Sequence, residues 1–207
     1  MLKWLFFDLG STLIDESECI EYRICELLKQ ENAPPREVLE RRMRENAALN
    51  RLPYKDTVRE FGLQTSKWPK QLEKLYSGVP EVLLNLRERY SLGVIANQSA
   101  GTEERLTRYG IRECFEVIVA SAEEGLEKPD PEIFRLALRR AGCTPDESCM
   151  IGDRLDNDIV PANRLGMKTV WVRQGFWGLS TVRCAEEIPT LTIDMLNELC
   201  KRLHEIL

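Results

Sequence analysis

Residues 3–8 read KWLFFD, a short run of bulky side chains that ends on an acid. A run of that length without polar alternation reads as a strand buried on both faces. Four later runs share the character: LGVIAN at 92–97, FEVIVAS at 115–121, CMIGD at 149–153 and TVWVR at 169–173. Helical patterns lie between them, at 80–89, 102–109, 131–141 and 157–165, with Gly110, Gly142 and Gly166 at their boundaries. Strands alternating with helices predict an α/β fold, a Rossmann-like parallel sheet with helices on both faces.

One interval breaks the rhythm. Residues 16–77 are rich in Glu, Arg, Leu and Lys, and no strand-like run interrupts them. CIEYRICELLKQ (19–30) and PREVLERRMRENAAL (35–49) have helical spacing, the second opened by Pro35. The interval is too long for one crossover, so it predicts a small helical cap, 16–77, inserted after the first strand of a core formed by 1–15 and 78–207. Insertions after strand C-termini sit over the ligand crevice of open α/β sheets; the alternative is a peripheral elaboration without chemistry. In the tail, TIDMLNELCKRLHEIL (192–207), Ile193, Leu196, Leu199 and Leu203 share one helical face that should pack on the core.

The 207 residues carry a net charge of −5 with both signs interspersed. That argues against a nucleic-acid surface, though not against a local basic pocket for an anion. The apolar run at 2–7 is too short for a leader or a membrane span, so a cytoplasmic protein with no membrane partner is expected, as monomer or homodimer. Seven scattered cysteines without a C-x-x-C pair suggest reduced thiols. With a single histidine, His204, zinc and Ser–His–Asp chemistry lack their residues, and any metal should be hard and oxygen-bound.

Acids stand where strands end, in FFDLGSTLID (6–15) and MIGDRLDNDI (150–159). If those strands are neighbours, Asp8 and Asp153 meet at the carboxyl edge, where two carboxylates repel unless a cation lies between them. A Mg²⁺ site fits that description. Asp158 either orders metal-bound water or a lysine, or is a helix-start carboxylate favoured by the macrodipole. In IANQSAGTEER (95–105) the strand–helix junction offers N–H groups, the Asn97 amide and the Ser99 hydroxyl to a phosphate. EKPDPEIF (127–134) puts Lys128 on a stiff stretch before Pro129, a surface charge by itself but a counter-ion beside carboxylates.

Together FFDLGSTL, VIANQS, EKPDPEIF and IGDRLDNDI resemble the four ordered motifs of the haloacid dehalogenase-like (HAD) superfamily, in the branch with a helical cap after the first motif. The resemblance spans almost the whole chain. It implies that Asp8 attacks phosphorus to give an aspartyl-phosphate that water hydrolyses. It further implies Mg²⁺ on Asp8, the Gly10 carbonyl and Asp153, with Asp158 behind them and Lys128 neutralising Asp8 and the phosphoryl group. Thr12, Asn97, Gln98 and Ser99 would bind phosphate, and the substrate would be a small phosphorylated metabolite.

Two departures stand out. The family's phosphatases usually carry a second aspartate, a general acid and base, where this chain has Gly10; Asp15 is a candidate substitute. If only that proton shuttle is missing, Gly10→Asp should raise turnover. The Ser or Thr that usually ends the second motif's strand is Ala96. Three readings therefore stand: a Mg²⁺-dependent phosphatase, a weakly active or inactive binding relative, and a C–halogen hydrolase, which needs no Mg²⁺. Arg23, Arg41, Arg42 and Arg44 are candidate anion contacts, and RQGFWGLS (173–180) either flanks the site or packs Phe176 and Trp177 on the core.

Overall fold

The structure is a computed structural model and describes residues 1–206. In chain order the elements are β1 (Trp4–Phe7), β2 (Ile14–Asp15), α1 (Ser17–Leu27), α2 (Arg36–Ala48), α3 (Pro53–Glu60), β3 (Lys74–Leu75), α4 (Val79–Leu86) and β4 (Ser91–Ala96). Then come α5 (Thr102–Arg108), β5 (Val117–Ala120), α6 (Ser121–Glu124), α7 (Pro131–Ala141), β6 (Ser148–Gly152), α8 (Val160–Leu165), β7 (Lys168–Val172), β8 (Leu191–Ile193) and α9 (Leu199–Arg202).

Among the described residues, six strands form one parallel sheet in the order β5-β4-β1-β6-β7-β8. All four residues of β1 are buried, because side chains alternate between faces and both faces are covered. Leu5 and Phe7 join a cluster with Leu83 of α4, Leu106 of α5 and Leu199 of α9. Trp4 and Phe6 point the other way, onto Phe134 of α7 and Ala162 of α8. Local signals agree with this packing. Asp130 caps α7 by accepting the Glu132 N–H (2.9 Å), Pro131 takes the first turn, and Gly142 ends the helix at φ 62°. The α/β parallel-sheet architecture is thus as the strand-and-helix rhythm predicts.

Two short pairings differ from the sequence reading. β3 lies inside the interval expected to hold no strand, and it pairs antiparallel with β2 through Ile14↔Leu75 and Asp15↔Lys74. A two-residue strand is too short to show a period. The ribbon closes the 16–77 segment at its base, and α1–α3 gather above it around their own apolar cluster of Ile24, Leu27, Leu39, Met43, Tyr54 and Val58. Ile193, expected on the tail helix, instead pairs with Val172 on the edge strand β8. Leu196, Leu199 and Leu203 follow on short helical turns, and all are buried. The helical spacing of these positions coincides with burial, which is why the tail reads as one helix. Among the described residues no helix is long and apolar enough to cross a membrane.

Candidate active site

Because β1 lies between β4 and β6, the residues just past their carboxyl ends converge. Asp8 continues β1, its N–H donating to the Ile151 carbonyl of β6 (2.9 Å). Asp153 follows β6, and Asp158 returns to it through a π-helical turn, Leu155–Ile159. The turn closes on Gly152: a methyl carbon built there would stand 2.4 Å from Asp158 Oδ2, so only glycine lets that carboxylate lie against the strand end. Carboxylate oxygens of Asp8, Asp153 and Asp158 fall within 4.8 Å of one another. All three residues are buried.

Lys128 enters from the loop before α7 and is 4% exposed. Its Nζ donates to Asp8 Oδ1 (2.5 Å) and Asp158 Oδ1 (2.6 Å). Burial works against its charge, but the two carboxylates outweigh that and hold its pKa above the usual lysine value. Burial pushes the Asp158 carboxyl up to about 6, with Lys128 opposing and Asp8 adding to the rise. Asp153 rises well above the ordinary range, through burial and then the repulsion of Asp8 and Asp158. One ammonium cannot balance three clustered carboxylates, so the site fits a hard divalent cation with an all-oxygen donor set.

The sequence-selected phosphate contacts separate. Asn97 holds the Lys128 backbone from both sides: its Nδ2 donates to the Lys128 carbonyl (2.8 Å), and the Lys128 N–H donates to its Oδ1 (2.7 Å). It therefore positions the lysine. Gln98 lines the cavity while its Oε1 accepts from Arg105. Thr12 and Ser99 need correcting. Thr12 is fully buried with its hydroxyl 3.5 Å from Asp153 Oδ1, so it faces a carboxylate and not an anion pocket. Ser99 is exposed and accepts from Lys70 Nζ (2.5 Å), outside the cavity. Gly10 lines the same cavity, of about 160 Å³, with Asp8, Lys128, Asp153 and Asp158.

Asp15 is also displaced as a substitute acid: it accepts the Ser17 N–H (2.9 Å) at the start of α1 and sits 3.9 Å from Lys74 Nζ. The next residue, Glu16, is the one that reaches the Asp8 cavity. Ser11 adopts φ 55°, an uncommon value for a residue with a side chain, and turns the chain back after Gly10. Its hydroxyl donates to Glu16 Oε2 (3.0 Å), and a methyl carbon built on Gly10 would stand 2.8 Å from Glu16 Oε1. The Glu16 carboxyl thus occupies the space a side chain at position 10 would fill. It lines the cavity of Asp8, and burial pushes its pKa up to about 7, opposed by the Ser11 hydrogen bond and reinforced by Asp8 and Glu73. Glycine at 10 and a carboxylate six positions later carry no periodic signal that links them.

Of the four arginines, Arg41 and Arg42 pair with Glu45, and Arg42 also with Glu60, on the outside of the helices. Arg23 and Arg44 line a larger cavity beneath them. The 174–179 loop borders it too. Trp177 lies under the Arg154 guanidinium (4.2 Å to the ring centroid), and Phe176 packs against the helical cluster, so neither joins the sheet's core.

A buried carboxylate beside a lysine and a cation-ready acidic cluster, at the carboxyl edge of a parallel sheet, is an arrangement suited to hydrolysis through an aspartate nucleophile. The family model for haloacid dehalogenase-like hydrolases matches residues 5–172, and the chain belongs to that family. A glyceraldehyde 3-phosphate phosphatase of Methanopyrus kandleri is 41% identical over 135 residues, 64% of this chain and 58% of that protein. Its counterpart in Methanocaldococcus jannaschii is 29% identical over 197 residues, 84% of this chain and 86% of that one. A HAD phosphatase from Thermococcus onnurineus shares the fold at TM-score 0.66, with 24% identity and 98% of each chain covered. In the first four relatives matched, the aligned stretch is 58%, 42%, 42% and 44% of their length, so the chain spans about half of them.

Proposed function

We propose that this chain is a Mg²⁺-dependent phosphatase of a small phosphorylated metabolite, with Asp8 as nucleophile and Glu16 as proton carrier. The observation that carries the reading is the Asp8–Lys128–Asp158 chain of contacts beside Asp153, with the Glu16 carboxyl folded into the same cavity. The similar glyceraldehyde 3-phosphate phosphatases make a phosphate monoester the first substrate class to test. In this reading residues 1–15 and 78–207 form the core and 16–77 a cap over its carboxyl edge, and seven unpaired thiols suit a reducing cytoplasm.

Asp8, Asp153 and the Gly10 carbonyl would hold the cation, which when bound neutralises the carboxylates and part of the phosphoryl charge, so that an anionic nucleophile can approach an anionic ester. The Asp8 carboxylate forms a bond to phosphorus as the ester P–O bond breaks, and the departing oxygen takes the proton of Glu16. Water then attacks phosphorus, gives a proton back to Glu16, and releases inorganic phosphate and free Asp8. Lys128 keeps its charge throughout and stabilises the equatorial oxygens. Asp158 holds Lys128, and Asn97 holds its backbone.

Purified protein incubated with acetyl phosphate and p-nitrophenyl phosphate, with Mg²⁺ or EDTA, tests this. Turnover should require the metal and vanish in Asp8→Asn. Activity that survives either change removes the mechanism. Metal binding without turnover of any ester would favour the binding relative, and chloride release from 2-chloropropionate the dehalogenase.

A further inference from the structure

At the junction of β4 and α5 few side chains are left to meet an anion in the cavity of Asp8. β4 ends on Ala96, whose methyl offers no hydrogen bond. Asn97 spends both ends of its amide on the Lys128 backbone, and the Ser99 hydroxyl lies outside the cavity against Lys70. Gln98 remains. Its N–H donates to Ser121 Oγ (2.9 Å), and its carbonyl accepts from the Ser121 hydroxyl (3.1 Å) and the Ala122 N–H (3.2 Å). With the backbone turned to β5 and α6, the side chain is what Gln98 presents to the cavity.

The direction of that amide is decided from behind. Arg105 Nη2 donates to Gln98 Oε1. A guanidinium carries donors only, so it selects the oxygen and leaves the two N–H of Nε2 without an acceptor among the described residues. Arg105 is itself fixed: its Nη1 donates to Glu73 Oε2 (3.4 Å), in a pair whose side chains are 9% and 4% exposed. Trp68 Nε1 (2.6 Å to Oε1) and the Tyr109 hydroxyl (3.4 Å to Oε2) donate to the same carboxylate. Glu73 stands one residue before β3, where the chain returns from α1–α3. A buried ion pair adds little net stability over neutral groups of like volume, and its best-attested use is to select one arrangement among several.

Resting on the phosphatase reading, in which this cavity holds the phosphoryl group, we infer that Arg105, clamped by Glu73, positions the Gln98 amide so that its N–H groups donate to the phosphoryl oxygens. Arg105 touches no substrate and acts through Gln98. With the amide reversed, an oxygen would face the anion in place of two donors.

The test is calorimetric titration of inorganic phosphate into the full chain with Mg²⁺. Gln98→Ala should weaken the Kd by about tenfold, the worth of one hydrogen bond to a charged group. Arg105→Met combined with Glu73→Gln removes both buried charges and strands neither. It should lose about the same factor while its Tm stays within about 5 °C of wild type. Arg105→Lys keeps the charge beside Glu73 but lacks the fork that reaches two partners at once, and should weaken phosphate similarly. Adding either change to Gln98→Ala should cost at most about a further threefold, because both act through one amide. A Kd within about threefold of wild type in Gln98→Ala, or in either Arg105 variant, overturns the inference. So do additive losses, which would mean that Arg105 only supports the fold, and so does a wild-type chain that takes up no phosphate. Binding that follows this pattern without Asp8-dependent turnover of acetyl phosphate removes the catalytic reading and leaves the inference standing.

Discussion

Replacing Glu16 by Gln keeps the shape of the side chain that fills the space beside Gly10 and removes its proton. Positioned general acid–base groups contribute about 10²–10⁴-fold, or about 3–5 kcal/mol of barrier. That loss should fall unevenly. An alkyl phosphate needs a proton on its departing oxygen, and Glu16→Gln should cost it the full factor. p-Nitrophenyl phosphate expels a stabilised phenolate and should lose much less. The pH profile supplies an independent check. With its pKa at about 7, Glu16 is protonated and able to act as an acid below that value. Where ester cleavage limits the rate, wild-type kcat on an alkyl ester should therefore fall as pH rises through the Glu16 pKa, which a bound cation lowers, and the variant should lack that limb. The same geometry reverses the simple expectation for Gly10→Asp. A carboxylate added there meets Glu16 Oε1 at van der Waals overlap, 2.8 Å from the new Cβ, and should reduce turnover. Gly10→Asp with Glu16→Ala should recover it. A Glu16→Gln enzyme within about threefold of wild type on alkyl esters, with the alkaline limb intact, would refute the assignment of Glu16.

Metal binding should couple to stability with a defined sign. Glu16 and Asp158 have folded pKa values raised to about 7 and about 6, so their favourable contribution to the metal-free fold is present at low pH and lost as pH rises through that window. Mg²⁺ held by the ionised carboxylates, as proposed, should therefore raise Tm more at about pH 8 than at about pH 5.5; equal shifts would contradict the cluster. Asp153→Asn removes one of three crowded charges, and should raise the metal-free Tm at pH 8, by about 2–4 °C per kcal/mol relieved, while abolishing the Mg²⁺ response. Gly152→Ala should displace Asp158 and loosen Lys128, lowering kcat and costing about 1–3 kcal/mol by chemical denaturation; an unchanged enzyme would mean the π-helical turn yields freely. Phe6→Ala, deep under α7, should cost about 3–5 kcal/mol without altering the pH profile of whatever folded enzyme remains.

What could be read from residues alone was what periodicity and strand ends encode. Asp8 and Asp153 each close an apolar run, and adjacency of those two runs in a parallel sheet is enough to bring the acids together. Lys128 needed the additional premise that its loop reaches the same edge, which the hydrogen bonds to Asn97 secure. Thr12 and Ser99 were misplaced because hydroxyls near a motif look alike in sequence, whereas burial and the Asp153 and Lys70 contacts tell them apart. The sequence does not single out Glu16 over its neighbour Asp15, because the placement of Glu16 beside Asp8 depends on one left-handed turn at Ser11, and a single dihedral leaves no pattern. β3 and β8 escaped for a related reason: strands of two and three residues are shorter than the period that would reveal them.

The ribbon of β2 and β3 has one more implication. Asp15 is its last residue on the outgoing strand, and Glu16 comes immediately after. In the proposed mechanism the proton carrier is thus fastened to the base of the helical segment, while the nucleophile is fastened to the sheet. Any rocking of α1–α3 about that base would carry Glu16 out of register with Asp8. An aspartyl-phosphate formed under closed helices would lose its means of activating water the moment they lifted, so commitment to hydrolysis and closure over the ligand become one mechanical event.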